Sequence, residues 1–426
     1  MSTPDLSDDL AHEFVSFALS RPAQFGRENF AGDPLAEQFV DVVLRTFSLD
    51  VRMYVSWECP PNVTIVGLPA GNALLRSERL DTLLVEFYRL RQVQPLFDGP
   101  LAQDVAQAQV LRWMCEFLIG YRHSPLALDA LELRPALPGL ELGIWNPFRD
   151  ETLSSIPALP KVALQCFSLG HELGHLVRSV GPGAGLDSQV DGMPVMSHLD
   201  YDFRASNPTS VALDRFREYC TQVVNAPQLL TEIKADLFGL DCVAEFLCRT
   251  HSCTPETAVS VALSACEALI FLYHCKEICR LLARVASGDL ERGTYEKLRF
   301  VDGLNWAARS RGVGRRAGIT LTSLEGGTAA DLNRNVDRID TIILGTGGAR
   351  RQLADAMDAC EQSLLRHAER RSRGGPDRAE VGRRLEGRPE LRLELYYLLI
   401  AFGCHGSVDV VTYLMSAGET AHHVSS

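Results

Sequence analysis

Five consecutive residues, His171-Glu172-Leu173-Gly174-His175, carry the clearest chemistry in the sequence. A helix turns ~100° per residue, so positions four apart lie one turn apart on one face. His171 and His175 can therefore aim two imidazoles at one ion. Glu172 sits one step round, where its carboxylate can reach a water bound to that ion. Zn²⁺ in such a setting lowers the pKa of its water, and a glutamate removes the proton.

The motif needs a helix to hold it. Pro157 and Pro160 precede a predicted helix from about Lys161 to Val180, and Gly181-Pro182-Gly183 ends it. Proline is tolerated at a helix start because its missing N–H would be unpaired there. The other face is apolar, with Val162, Leu164, Phe167, Leu169 and Leu176.

A catalytic zinc site normally takes a third protein ligand. The pattern H-E-x-x-H-x-x-G-x-x-H fails, because Arg178 and Gly181 occupy the required positions. A glutamate nineteen residues past the second histidine is also missing, since Pro194 stands there. The candidate comes later, in Thr231-Glu232-Ile233-Lys234-Ala235-Asp236. Glu232 and Asp236 share a face of a predicted helix over 227–250. Glu232 can ligate, while Asp236 can accept the outer N–H of a liganding histidine and fix its tautomer. Gly170 and Gly174 are four apart, as are Ala235 and Gly239. Such small residues let two helix backbones approach closely enough for a glutamate to reach the ion. The predicted loop over 181–208 holds His198, Asp200, Tyr201 and Asp202. One of these could replace Glu232, and His198 or Tyr201 could donate to the oxyanion of a tetrahedral intermediate.

H-E-L-G-H followed by E-x-x-A-D resembles the gluzincin zinc metallopeptidases. These include the CAAX-prenyl and heat-shock membrane protease group and related soluble bacterial peptidases. The resemblance covers about Lys161–Leu247. It implies His171, His175 and Glu232 as zinc ligands, Glu172 as general base and Asp236 as the carboxylate behind the ligands. It also implies a zincin-like core with a small sheet, and a peptide or protein substrate. The chain departs from the membrane group in having no clear transmembrane helix.

The rest of the chain must position these groups. Its 426 residues fit a mixed N-terminal region over 1–150, a helical metal-binding core over 151–290 and a C-terminal helical region over 291–426. The expected class is α+β, mostly helical. Helices are predicted at Ala11–Ser20, Leu35–Phe47, Leu80–Arg91, Leu101–Tyr121, Ser210–Val224 and Pro255–Ala286. Strands are predicted at Asn62–Leu68 and Leu140–Trp145, one of which could offer an edge to an extended peptide. Helical signals over 330–371 break at Gly345–Gly348, Arg370–Arg388 reads as a solvated loop, and Leu391–Phe402 with Val408–Met415 reads as a closing pair.

A net charge of −12 argues against a nucleic-acid binder held by bulk charge. The acidic N-terminus lacks the basic start and apolar core of a signal peptide. The longest apolar stretch, Thr257–Cys275, contains Glu267 and His274 and reads as a buried helix. Those two residues, seven apart on one face, are expected to pair with each other or to back the metal site. Cys275 and Cys279 read as core residues. Twelve scattered cysteines without a CxxC pair fit reduced thiols and a cytoplasmic location. Only four of 42 basic residues are lysine, a bias expected of a GC-rich bacterial genome. Two other functions use the same residues. One is a non-haem Fe²⁺ oxygenase acting on peptides, since two histidines and a carboxylate also form its facial triad. The other is a non-catalytic regulatory module.

Overall fold

The computed structural model describes residues 34–56, 62–69, 71–93, 99–121, 123–135, 158–179, 227–345 and 347–374, with a few positions between 383 and 391. The predicted helices Ala11–Ser20 and Ser210–Val224, the strand Leu140–Trp145, the loop with His198 and Tyr201, and the closing pair past Leu391 lie outside these residues.

The fold is mostly helical with one small sheet. Helix α1 (Pro34–Phe47) leads into β1 (Val51–Ser56), β2 (Val63–Leu68) and β3 (Gly71–Ser77). The strand order is β1-β3-β2, with β1 parallel and β2 antiparallel to β3. Alternation along β3 sends Leu74 into the main core and Ala73 and Leu75 to the opposite face, against Val66 and Leu68. Helices α2 (Glu78–Val93), α3 (Gly99–Gly120) and α4 (Ser124–Glu132) follow. Then come α5 (Ala158–Ser179), α6 (Pro227–His251), α7 (Pro255–Ala286), α8 (Arg292–Leu324), α9 (Ala329–Gly345) and α10 (Gly347–Gly374). Helices from α1 to α10 contribute to one continuous apolar core.

Helix α7 is the axis of this core. Thr254 caps it by accepting from the Thr257 N–H, and Pro255 opens its first turn. It is the one helix among the described residues long and apolar enough to cross a membrane, and most of that stretch is buried inside the protein. It packs on α3, α5, α6, α8 and α10. Glu267 and His274 do not pair with each other. They point to different neighbours along a helix in which seven residues span ~10 Å. Glu267 takes Arg91 of α2 at 2.8 Å, and His274 lies 2.6 Å from Asp302 of α8, stacked on Trp306. Cys275 and Cys279 are buried free thiols in the core.

Helices α5 and α6 pack closely, and the small residues explain it. A Cβ added to Gly174 would sit 2.9 Å from the Ala235 Cα, and one on Gly170 would sit 3.2 Å from the Gly239 Cα. Backbone meets backbone at both places, so no side chain can rotate away. Gly174→Ala should therefore cost about 1–3 kcal/mol of stability by forcing the helices apart. Chemical denaturation checks this. An unchanged midpoint would show that the helices can separate without loss.

The Arg-rich segment differs from its reading as a solvated loop. Helix α10 runs on to Gly374, and among the described residues Arg371, Arg384 and Arg388 pair with carboxylates. Arg371 and Arg384 hold the buried carboxylate of Asp129 on α4, at 2.7 Å each. Arg384 and Arg388 hold Glu132. The acidic face of α4 draws these arginines in, a long-range effect that local composition does not encode.

Candidate metal centre

Helix α5 carries His171 and His175 one turn apart, and α6 brings Glu232 and Asp236 against them. The Nε2 atoms of the two histidines lie 3.3 Å apart. Glu232 Oε2 lies 3.4 Å from His171 Nε2, and Oε1 lies 3.6 Å from His175 Nε2. The two histidines thus face different oxygens of one carboxylate, at distances close to that between their own nitrogens. Ligands at tetrahedral angles around a zinc, with bonds of about 2.0–2.1 Å, stand about 3.3–3.4 Å from one another. The residues thus fit a divalent ion without rearrangement of the helices.

The second nitrogen of His171 is committed. Its Nδ1 lies 2.8 Å from Asp236 Oδ1, so the ring donates there and turns Nε2 toward His175 and Glu232. Asp236 is fully buried. Arg309 of α8 donates to both its oxygens, Nε to Oδ2 at 2.7 Å and Nη2 to Oδ1 at 2.8 Å. Arg309 Nη1 also lies 3.4 Å from Glu232 Oε2. One guanidinium therefore steadies both carboxylates of the site.

Electrostatics follow from this packing. Burial opposes charge on Asp236, but Arg309 outweighs it and holds the carboxyl at about 2. Burial also opposes charge on His171, but the hydrogen bonds to Asp236 and Glu232 win and lift it to about 9. In the metal-free protein a proton thus occupies the place a cation would take, and a metal ion would displace it. His175 is pushed down by burial and by the His171 charge. Burial works against the Glu232 charge, yet the His171 hydrogen bond and neighbouring cations keep its carboxyl below the usual range.

Glu172 belongs to the same cluster. A carboxylate oxygen of Glu172 and one ring nitrogen from each histidine all lie within 4.8 Å of one another. Burial raises its carboxyl to about 7, although the His171 charge pulls the other way. Two carboxylates thus approach the imidazoles. Glu232 makes the 3.4 and 3.6 Å contacts of a ligand.

These groups open onto a cleft of about 450 Å³. Asn62, Val63 and Thr64 line one wall, at the start of β2. Tyr273, Lys276, Glu277 and Arg280 of α7 line another, with Tyr121 at the end of α3. The Tyr273 ring centre is 6.1 Å from that of His171, and the Arg309 guanidinium lies 5.9 Å from the same ring. Burial pushes the Tyr273 hydroxyl well up, so it stays protonated as a donor.

The structure brings together His171, Glu172, His175, Glu232 and Asp236, while His198 and Tyr201 lie outside the described residues. Sequence reasoning missed Arg309 and Tyr273. Arg309 is one of four arginines within eight residues, and nothing local marks it as the one that turns toward Asp236. Tyr273 lay in plain view, one residue before the histidine singled out on α7. No family model, curated protein or solved structure matches this chain.

Proposed function

We propose that this chain is a zinc-dependent peptidase with His171, His175 and Glu232 as metal ligands and Glu172 as general base. The observation that carries the reading is the convergence of both imidazoles, 3.3 Å apart, on the Glu232 carboxylate at 3.4 and 3.6 Å, with a second carboxylate beside them. A zinc ion bound there would supply Lewis acidity, lowering the pKa of a water and polarising a carbonyl oxygen.

The protein's own groups supply the rest. Glu172 takes a proton from the attacking water and returns it to the departing amine. Burial raises the Glu172 carboxyl in the metal-free site, and a bound dication would pull it back toward the ionised form that a base needs. Asp236 and Arg309 hold His171 in one tautomer and one orientation. Among the described residues that line the cleft, Tyr273 offers a hydroxyl donor for a developing oxyanion. Among the described residues β2 has β3 on one side only, and its first residues line the cleft. An extended peptide could pair with that edge and cross the site.

The test is hydrolysis of a broad peptide mixture followed by mass spectrometry. New cleavage products should appear, vanish with a chelator and return with zinc. Products that persist undiminished in chelator would contradict the reading.

A further inference from the structure

Helix α7 turns one face to the cleft. Tyr273, Lys276, Glu277 and Arg280 lie there at steps of three, four and seven residues. The Tyr273 ring centre lies 6.1 Å from that of His171. The Lys276 ammonium lies 5.5 Å from the centre of the Tyr273 ring. Those two steps place the ammonium within about four extended residues of the imidazole, at ~3.3 Å each. Lys276 Nζ also donates to Asn62 Oδ1 at 3.0 Å, directly before β2. The lysine therefore spans the two walls between which an extended peptide would run. Arg280 stands one turn further along and is held in place by Glu277, whose Oε2 accepts from its Nε at 2.7 Å.

We infer that the cleft selects substrates bearing a carboxylate close to the reacting bond, and that Lys276 binds this carboxylate with Arg280 behind it. The inference rests on the peptidase reading for the word substrate. An ammonium carries three donors and no acceptor, so the bond to Asn62 does not by itself exhaust its capacity to meet an anion. Charge-assisted hydrogen bonds are roughly twice as strong as neutral ones. The cleft is open, so screening by water tempers this gain. The Tyr273 ring face below the ammonium helps to fix the cation's position. The carboxylate could be the substrate's own C-terminus or an Asp or Glu side chain beside the reacting bond. Both are the same chemistry at Lys276.

The test measures binding by calorimetry, with zinc-loaded Glu172→Gln protein so that nothing is consumed. Three short alanine-leucine peptides are compared. One has a free C-terminal carboxylate, one a C-terminal amide, and one a C-terminal amide with a single glutamate. At least one carboxylate-bearing peptide should bind about tenfold more tightly than the neutral amide. A preference for the free acid assigns the anion to the chain terminus. A preference for the glutamate peptide assigns it to a side chain. Lys276→Met should bring the ratio close to one, and Lys276→Arg should restore it. Equal binding of all three peptides, including no binding at all, overturns the inference. So does a preference that survives in Lys276→Met. If wild-type protein cleaves no peptide while the Lys276-dependent preference holds, the peptidase reading fails and the carboxylate site stands.

Discussion

Glu172→Gln should retain its metal and lose its activity. The substitution keeps the shape of the side chain but replaces a basic, charged carboxylate by a neutral amide that cannot take a proton. Glu172 approaches the imidazoles within 4.8 Å, whereas the closer carboxylate contacts belong to Glu232. Metal content should therefore match wild type. General base catalysis contributes about 10²–10⁴-fold, so kcat should fall by that factor. Measured together, kcat and metal content separate the roles of the two glutamates. Loss of metal in Glu172→Gln would make Glu172 a ligand and leave Glu232 without its assigned part. Full turnover would remove Glu172 as the base.

Arg309→Met should be the most destabilising change near the site. Asp236 is fully buried, and Arg309 makes two hydrogen bonds to it. Removing one partner of a buried ion pair costs about 3–5 kcal/mol, because the other charge is left without compensation. Asp236 retains only His171 among the contacts described above. The sign of the metal effect follows from the same charges. Arg309 supplies positive charge to both Asp236 and Glu232. A bound dication would replace part of it. Zinc should therefore narrow the stability gap between wild type and variant, and denaturation with and without zinc reads this directly. A gap that zinc leaves unchanged would mean that Arg309 acts apart from the metal centre.

The ligand helix was legible in sequence because its chemistry is local. His171 and His175 are four residues apart, so the helix alone puts them together. Glu232 and Asp236 were legible for a second reason. Their own spacing set them on one face, and the small residues of both helices announced a close packing that Gly174 and Ala235 indeed make. Arg309 was not legible, because its partner is 73 residues away and its own helix is rich in arginine. Strand β3, Gly-Asn-Ala-Leu-Leu-Arg-Ser, contains no β-branched residue and is held in the sheet by neighbours on both sides. Strand β1, short helix α4 and glycine-punctuated helix α8 were also unread. In α8, Gly318 lets Val336 of α9 approach closely, so a residue that weakens the local helical signal serves the packing. The arginines paired with Asp129 and Glu132 show the same limit for charge.

The most direct measurement is metal content per chain, by elemental mass spectrometry on untagged protein purified without oxygen. The account predicts about one zinc per chain, and its loss in His171→Ala. Iron in its place would move the same three ligands to oxygen chemistry. No divalent metal in the wild-type protein would contradict the account.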